Sequence, residues 1–337
     1  MAKIVLGVAT SHGPMLSTPP EGWGQRVSAD KANGAHHFRG ATYSFDELVA
    51  LRKSESLHDE ITPDVWQAKY NRCRSALGQL ADIWEKAKPE VAVIFGNDQM
   101  ELFCDDNLPA FAVFAGDTID NSEYDEHQMA SLPPGIAVSV PGHIPPGGAH
   151  YPGCPGLATH IASSLINEFY DISVLRTFPE RHKTIPHAFG FIYRQVMHDR
   201  VVPSVPLFVN TFFPPNQPTA ARCRDFGQAV LRAVESWPGD QRVALVASGG
   251  LSHFVIDEEL DGIVLDAIRT GSIEKLDRIN ESHYQSGSSE IKNWIPLASA
   301  MASLQLPAHV IDYVPCYRSE AGTGNAMGFV AWEPEDA

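Results

Sequence analysis

The sequence predicts an α/β fold, a single layered domain with a central mixed, largely parallel sheet flanked by helices. Short apolar runs rich in β-branched residues alternate with longer segments of helical periodicity, as in sheets that helices cover on both faces. Several runs end in small residues followed by a polar side chain, which is typical of strands that lead into a site. The 337 residues contain no internal repeat, low-complexity tract or flexible linker, so one domain over 1–337 is expected.

Hydrophobic periodicity and turn residues predict the elements in order. Thr62-Pro63-Asp64 is a helix-start signal, because proline is favoured in the first turn, and Lys88-Pro89 ends that helix. The predicted strands are 3–10, 91–95, 111–116, 172–177, 206–210, 243–248 and the AMGFVAW run near the C-terminus. The predicted helices are a short one around Tyr43–Lys53 within an irregular 11–60 region, then 62–87, 156–169, 187–197, 218–236, one or two within 257–280, and 289–304.

Residues 117–156 are rich in Pro, Gly and His and show no clear periodicity. A loop of this length inside a compact domain is uncommon and is often functional. We therefore expect a lid or insertion over 117–156.

Composition excludes several classes of partner. With 25 Lys and Arg against 41 Asp and Glu, the formal charge is −16, which argues against nucleic acid or an anionic membrane as partner. The five cysteines are scattered and form no CxxC pair, so neither a disulfide framework nor a thiolate zinc site is expected. The sequence has no apolar run long enough for a membrane span and no evident signal peptide, so it predicts a cytoplasmic soluble protein.

Two histidines stand in the same local setting. His12 and His253 each follow an apolar run that ends in small residues and Ser, in KIVLGVATSHGPM and RVALVASGGLSHF. A strand that stops at Ser-His brings an imidazole to the carboxyl edge of a sheet, where open α/β folds bind ligands. Either histidine alone is compatible with a local hydrogen bond at a strand end. Their shared setting favours a catalytic or ligand-binding role for both.

A carboxylate complements these imidazoles. Glu290, in SGSSEIKNW, begins a predicted helix, where an acid is also favoured simply as a helix-terminal charge. A mononuclear iron or zinc site needs imidazole and carboxylate ligands from separate elements, and His12 and Glu290 supply one of each. His253 is either a ligand or a base, and the two glycines before it permit a close backbone approach.

Other polar residues are candidates for the same site. No P-loop, GxGxxG, GxSxG or HExxH motif is present. His58 precedes a helix in LHDEITP and is placed to reach inward, and the RHKTIPHAFG loop carries His182 and His187. The FGNDQMELF segment leaves the second predicted strand and offers Asn97, Asp98, Gln99 and Glu101.

Together these motifs resemble the class III extradiol ring-cleavage dioxygenases, the group typified by the catalytic subunit of protocatechuate 4,5-dioxygenase. Within that group the chain is most similar to the 3-O-methylgallate dioxygenases. The resemblance covers most of the chain. It rests on ATSH at 9–12, FGNDQMELF at 95–103, ASGGLSH at 247–253, SGSSEIKNW at 286–294 and GTGNAMGF at 322–329.

The resemblance implies a ferrous ion held by two histidines and a glutamate, with a further histidine as acid and base. It implies His12 and Glu290 as metal ligands and His253 as the acid/base residue. It also implies a catalytic role for a histidine of the 182–187 loop, which is either His182 or His187.

The chain departs from the family pattern at the second metal histidine. That histidine follows an Asn-Asp pair, and here the pair is followed by Gln99. Gln99 through its carbonyl oxygen, His58, His37 and Glu101 are the alternatives for the remaining ligand.

The implied reaction opens a catechol-type aromatic acid (protocatechuate, gallate or 3-O-methylgallate class) with O2, while His253 exchanges a phenolic proton. Fe(II) is the implied cofactor, the aromatic substrate and O2 are the partners, and a homodimer is compatible with the resemblance. Gln99 keeps open a non-redox zinc-dependent hydrolase on the same scaffold, and a second rival is a non-catalytic binding protein that has lost the iron site.

Overall fold

The computed structural model describes residues 2–179 and 183–334. Thirteen strands lie within these ranges, and every strand predicted from the sequence is among them. In chain order the strands are β1 (Lys3–Ser11), β2 (His36–Phe38), β3 (Ala41–Tyr43), β4 (Val91–Gly96), β5 (Phe111–Phe114), β6 (Thr118–Asn121), β7 (Ala149–Pro152), β8 (Ser173–Leu175), β9 (Ser204–Val209), β10 (Arg242–Gly249), β11 (His253–Val255), β12 (His309–Tyr317) and β13 (Thr323–Trp332).

Nine α-helices lie within the same described ranges. Thr62 begins the longest of them as predicted, because its hydroxyl accepts a hydrogen bond from the Val65 amide and a proline opens the first turn. The helices are α1 (Val27–Ala32), α2 (Phe45–Leu51), α3 (Pro63–Ala87), α4 (Glu126–Ser131), α5 (Pro155–Asn167), α6 (His187–Phe191), α7 (Ala220–Glu235), α8 (Glu258–Thr270) and α9 (Ile291–Ser303).

The principal sheet has nine strands in the described part of the chain. Eight of them follow the order β11-β13-β1-β10-β4-β9-β5-β8, and β12 also pairs with β13. The central strands β1, β10, β4 and β9 are parallel neighbours, whereas β13 and β5 pair antiparallel with the ends of this group. The sheet is therefore mixed and mostly parallel, which confirms the predicted fold class.

Helices cover both faces of this sheet, and strand β4 shows why. Along β4, Val91, Val93 and Phe95 pack on the side of α5, α7, α8 and α9, whereas Ala92 and Ile94 pack on the side of α3 and α6. Side chains alternate between the faces of a strand, so a strand buried on both faces needs an unbroken apolar run. The VAVIF run meets that requirement.

Several elements were not predicted, namely β2, β3, β11, β12, α1 and those of the 117–156 region. Strand β12 was missed because Asp312 and Pro315 interrupt its apolar run, and an edge strand tolerates proline better than a central one. The aperiodic 117–156 region, which we call the cover segment, contains the short elements β6, α4 and β7.

No helix of residues 2–179 and 183–334 combines the length and apolar character that crossing a membrane requires.

Candidate active site

Three neighbouring parallel strands end at the same edge of the sheet. β10 lies between β1 and β4, with Ser11 opposite Gly249 and Ala247 opposite Phe95. The residues that follow these strands therefore emerge side by side. His12 follows β1, the Asn97–Gln99 segment follows β4, and the loop that leads to His253 follows β10.

Glu290 reaches this edge from the start of α9. A Cβ atom added to Gly249 would lie 2.7 Å from the carbonyl oxygen of Glu290, so glycine permits α9 to begin this close to β10. A Cβ added to Gly250 would lie 2.5 Å from Cε1 of His253. The two glycines thus allow the backbone approach that the sequence predicted.

The glutamate and the two histidines meet at one carboxylate oxygen. Nε2 of His12 lies 3.1 Å and Nε2 of His253 lies 3.6 Å from Oε2 of Glu290, and all three side chains are buried. The N-terminal and C-terminal parts of the chain thus contribute to one cluster. We call His12, Asn97, Gln99, His253 and Glu290 the strand-end cluster.

Ser248 determines which nitrogen of His12 carries the proton. Its hydroxyl donates to the carbonyl oxygen of Ala188 at 2.5 Å, so toward His12 it acts as an acceptor, 3.0 Å from Nδ1. The neutral imidazole therefore carries its proton on Nδ1 and turns the lone pair of Nε2 toward Glu290. Burial outweighs the attraction of Glu290 and lowers the pKa of His12 below 6.5, which favours this neutral form.

The two oxygens of Glu290 have different surroundings. Oε1 accepts hydrogen bonds from the side-chain amides of Gln99 at 2.7 Å and Asn97 at 3.1 Å. Asn97 is oriented in turn by the Asn293 amide, which donates to its Oδ1 at 2.8 Å. Oε2 is buried and has no hydrogen-bond donor in the described part of the chain, although His12 lies close.

This arrangement fits a divalent cation. A carboxylate oxygen and an imidazole lone pair that face each other at 3.1 Å repel unless a positive centre lies beside both. Two ligand atoms about 2.1 Å from one ion and at a right angle would be separated by roughly 3.0 Å. Among the described residues, no group of three His, Cys, Asp or Glu side chains forms a complete metal site. The resemblance implies two histidines and a glutamate, and where it expects the second histidine this cluster has the neutral amide of Gln99, next to Glu290.

His253 balances the charge of Glu290. Its Nδ1 donates to the carbonyl oxygen of Leu251 at 2.8 Å, which directs Nε2 toward the cluster. Burial would lower the pKa of His253, but the charge of Glu290 raises it above 6.5. Burial would likewise raise the pKa of Glu290, but the two histidines hold it well below 4.5. Because His12 is neutral, we assign the balancing proton to His253.

A second acid–histidine pair borders the cluster. Nδ1 of His187 donates to Glu101 at 2.8 Å, and the His187 amide donates to the same carboxylate at 3.0 Å. Despite burial, Glu101 raises the pKa of His187 to about 9, and His187 lowers that of Glu101 to about 2. The rings of His187 and His12 lie edge to face, 4.7 Å apart. His182, the other candidate of this loop, lies outside the described residues.

His58 and His37, two of the alternatives for the remaining metal ligand, do not lie near the strand-end cluster. His58 is 66% exposed and its Nε2 lies 3.3 Å from the carboxylate of Asp59. His37 is exposed on β2, in a short strand pair with β3. Both belong to the long N-terminal region, whose own turns and β2–β3 hairpin direct these side chains to the surface. Of the other two alternatives, Gln99 is hydrogen-bonded to Glu290, and Glu101 is hydrogen-bonded to His187.

A cavity of about 410 Å³ opens onto the strand-end cluster, a volume typical of small-molecule sites. The cover segment contributes Tyr124, Ile136, Val140 and His143 to its wall. Burial, together with the charge of His187, lowers the pKa of His143 to about 3, so this imidazole is neutral.

Four further residues line this cavity and were not predicted from the sequence, namely His143, Tyr124, Arg26 and Asn325. Asn325 belongs to the GTGNAMGF motif that supports the resemblance, so its position in a family motif was an available signal. The other three lie in irregular segments and had none.

Comparison with known proteins supports the resemblance. Over 189 residues the chain is 30% identical to the gallate dioxygenase of Pseudomonas putida, and the alignment covers 52% of each protein. The aligned part thus spans about half the length of that relative. Residues 63–323 match the family described as the catalytic LigB subunit of aromatic ring-opening dioxygenase, which confirms the predicted family resemblance. Because this match covers most of the sequence, the chain belongs to that family of aromatic ring-opening dioxygenases.

Proposed function

We propose that this chain is an Fe(II)-dependent extradiol dioxygenase that uses O2 to open the ring of a catechol-type aromatic acid. The protocatechuate, gallate and 3-O-methylgallate class is the proposed substrate class, and the similarity to a gallate dioxygenase supports it. The observation that carries the proposal is the 3.1 Å distance between Nε2 of His12 and Oε2 of Glu290, an oxygen without a hydrogen-bond donor among the described residues, at a substrate-sized cavity.

In this proposal His12 and Glu290 would hold the metal. Gln99 and Asn97 hold the other oxygen of Glu290, which fixes the direction of the free one. The side-chain amide nitrogen of Gln99 forms that hydrogen bond, so the side-chain carbonyl oxygen of Gln99 is the atom left to serve as a neutral metal ligand. A bound ferrous ion would supply the redox-active centre that brings a catechol and dioxygen together.

His253 is the proposed acid and base. The Leu251 carbonyl keeps the Nδ1 proton in place, so proton exchange takes place at Nε2. With a divalent cation beside Glu290, the negative charge of the carboxylate would be balanced and would no longer favour the protonated form of His253. The imidazole is then free to accept a phenolic proton and return it when the ring opens. The protonated His187, held by Glu101, places a second proton donor beside the same pocket.

The cover segment is proposed as the lid. Ile136 and Val140 from this segment, with Phe191 from α6, give the cavity an apolar wall. An apolar wall of this kind buries the faces of an aromatic ring and keeps water from the reacting atoms.

The test is anaerobic loading of the protein with Fe(II), followed by protocatechuate, gallate, 3-O-methylgallate and catechol in air-saturated buffer. We expect oxygen uptake together with a coloured ring-fission product, and a smaller response with the zinc-loaded protein. Zinc retention without oxygen uptake by the iron-loaded protein would contradict the proposal and favour a non-redox metalloenzyme. Absence of stable binding of either metal would favour a non-catalytic binding protein.

A further inference from the structure

Arg26 places a positive charge in the wall of the active-site cavity. It ends the 3-10 turn Pro20–Arg26, and it lines the same cavity as His12, Glu290 and the cover segment. Its Nη1 atom is buried and has no hydrogen-bond partner within residues 2–179 and 183–334. An unpaired guanidinium nitrogen in such a place is costly, because burial removes water without supplying another acceptor.

The neighbouring carboxylate does not satisfy this arginine. Asp30 accepts hydrogen bonds from Arg318 Nε at 2.7 Å and Nη2 at 2.8 Å, and from the Thr323 hydroxyl at 2.7 Å. Burial and the repulsion of Arg318 lower the pKa of Arg26 to about 10, although Asp30 attracts it. Arg26 is therefore still charged at neutral pH.

The other acids of the cavity wall also have partners. Glu101 is paired with His187, and Glu290 is balanced within the strand-end cluster. A negatively charged ligand is thus the missing partner of Arg26. A ring carboxylate matches a guanidinium well, because both groups are planar and can form parallel charge-assisted hydrogen bonds.

The stem of Arg26 is held against the cover segment. A Cβ atom added to Gly135, where φ is +76°, would lie 2.9 Å from Cγ of Arg26. Leu132 and Ile136, on either side of this glycine, line the cavity. Closing of the cover segment over a substrate would therefore act on the arginine directly.

We propose that Arg26 binds the carboxylate of the substrate and thereby selects ring-carboxylated catechols over uncharged ones. This inference rests on the proposed function and deepens it. It makes Arg26 a specificity-determining residue, whereas the strand-end cluster recognises the ring hydroxyls.

The test compares gallate with pyrogallol, which carries the same hydroxyls without the carboxylate, in the wild type and in Arg26→Met. Methionine preserves the apolar stem that packs against Gly135 while removing the charge. We expect kcat/KM for gallate to fall about 10- to 100-fold, the effect of losing a charge-assisted pair, and kcat/KM for pyrogallol to change less than about threefold. Arg269→Met is the matched control, since Arg269 is exposed on α8.

Two further measurements separate this inference from the proposed function. Calorimetric titration of the metal-free protein should show weaker binding of gallate, but not of pyrogallol, by Arg26→Met. Thermal unfolding of Arg26→Met should occur at the wild-type temperature or above, because an unpaired buried charge is removed. An equal loss for both ligands, or no loss for gallate, would overturn the role of Arg26. Failure of the iron-loaded wild type to cleave either compound would overturn the proposed function, and the calorimetry would still decide the role of Arg26.

Discussion

The strand-end cluster and the cover segment form the same cavity in different ways. His12 and Gln99 lie just after β1 and β4, and His253 begins β11 after the loop that follows β10. Strands β1, β4 and β10 are buried and hydrogen-bonded on both sides. The cover segment instead brings side chains to the cavity from short elements and turns. If the proposed function is correct, the sheet edge would hold the reacting groups, and the cover segment would shape the cavity and contact the rest of the substrate.

Glu290→Gln should have the largest effect, because it removes the negative charge of a proposed metal ligand while the side chain keeps nearly the same shape. If Glu290 is a direct ligand as proposed, its loss should lower metal affinity by more than the roughly 10- to 100-fold that is typical when a residue supporting a ligand is removed. Iron content after anaerobic loading and oxygen uptake with gallate measure this effect.

The stability of the metal-free Glu290→Gln protein distinguishes this role from a structural one. The new amide nitrogen can donate to Nε2 of His12, which now lies 3.1 Å from a carboxylate oxygen, so the unfolding temperature should not fall. Glu274→Gln, at an exposed position, should change neither metal content nor stability. Full iron content in Glu290→Gln would show that the sheet edge is not the metal site.

The difference between the two regions also explains what could be predicted from the sequence. His12 and His253 were recognisable because strand runs end just before them, and the sheet then fixes where such residues emerge. The surroundings of Gln99 could not be predicted, because its hydrogen bond to Glu290 joins residues 191 positions apart. His143 lies in an aperiodic segment, and its position depends on tertiary packing alone.

Asp30→Asn tests whether Arg318 and its neighbour Arg26 depend on one buried carboxylate. Removing it leaves Arg318 without its bidentate partner and should lower the free energy of unfolding by about 3 kcal/mol at pH 7. Urea unfolding measures this loss. Asp240→Asn, at an exposed position, is the matched control and should be neutral.

The effect of Asp30→Asn should depend on pH. Burial would raise the pKa of Asp30, but Arg318, Thr323 and Arg26 together lower it below 3.8. The ion pair therefore contributes fully above about pH 4 and is lost as the pH falls through the folded-state pKa. The difference between wild type and variant should narrow below pH 4. A difference that stays constant down to pH 3 would show that the carboxylate charge is not what stabilises this region.

Ser248→Ala tests how the sheet edge orients His12, because this variant leaves both proposed ligands present. Without the acceptor at Nδ1, His12 is no longer held in the form that presents its Nε2 lone pair, and metal affinity should fall about 10- to 100-fold. Competition with a fluorescent chelator measures this loss. Ser299→Ala is the control, because its buried hydroxyl on α9 has no hydrogen-bond partner in the described ranges. Unchanged affinity in Ser248→Ala would contradict the assigned role of the serine.

Ile136→Ala should have the smallest effect and tests the cover segment alone. Ile136 lines the cavity, and its side chain can form neither hydrogen bonds nor ion pairs, so truncation would remove only apolar contact with the proposed substrate ring. Loss of one to two kcal/mol of such contact should raise KM for gallate roughly 5- to 30-fold and change kcat less than about twofold. Val138→Ala is the matched control, because Val138 is 43% exposed in the same 3-10 turn region. A fall in kcat with unchanged KM would mean that the cover segment takes part in the chemistry, and the division between the two regions would then be wrong.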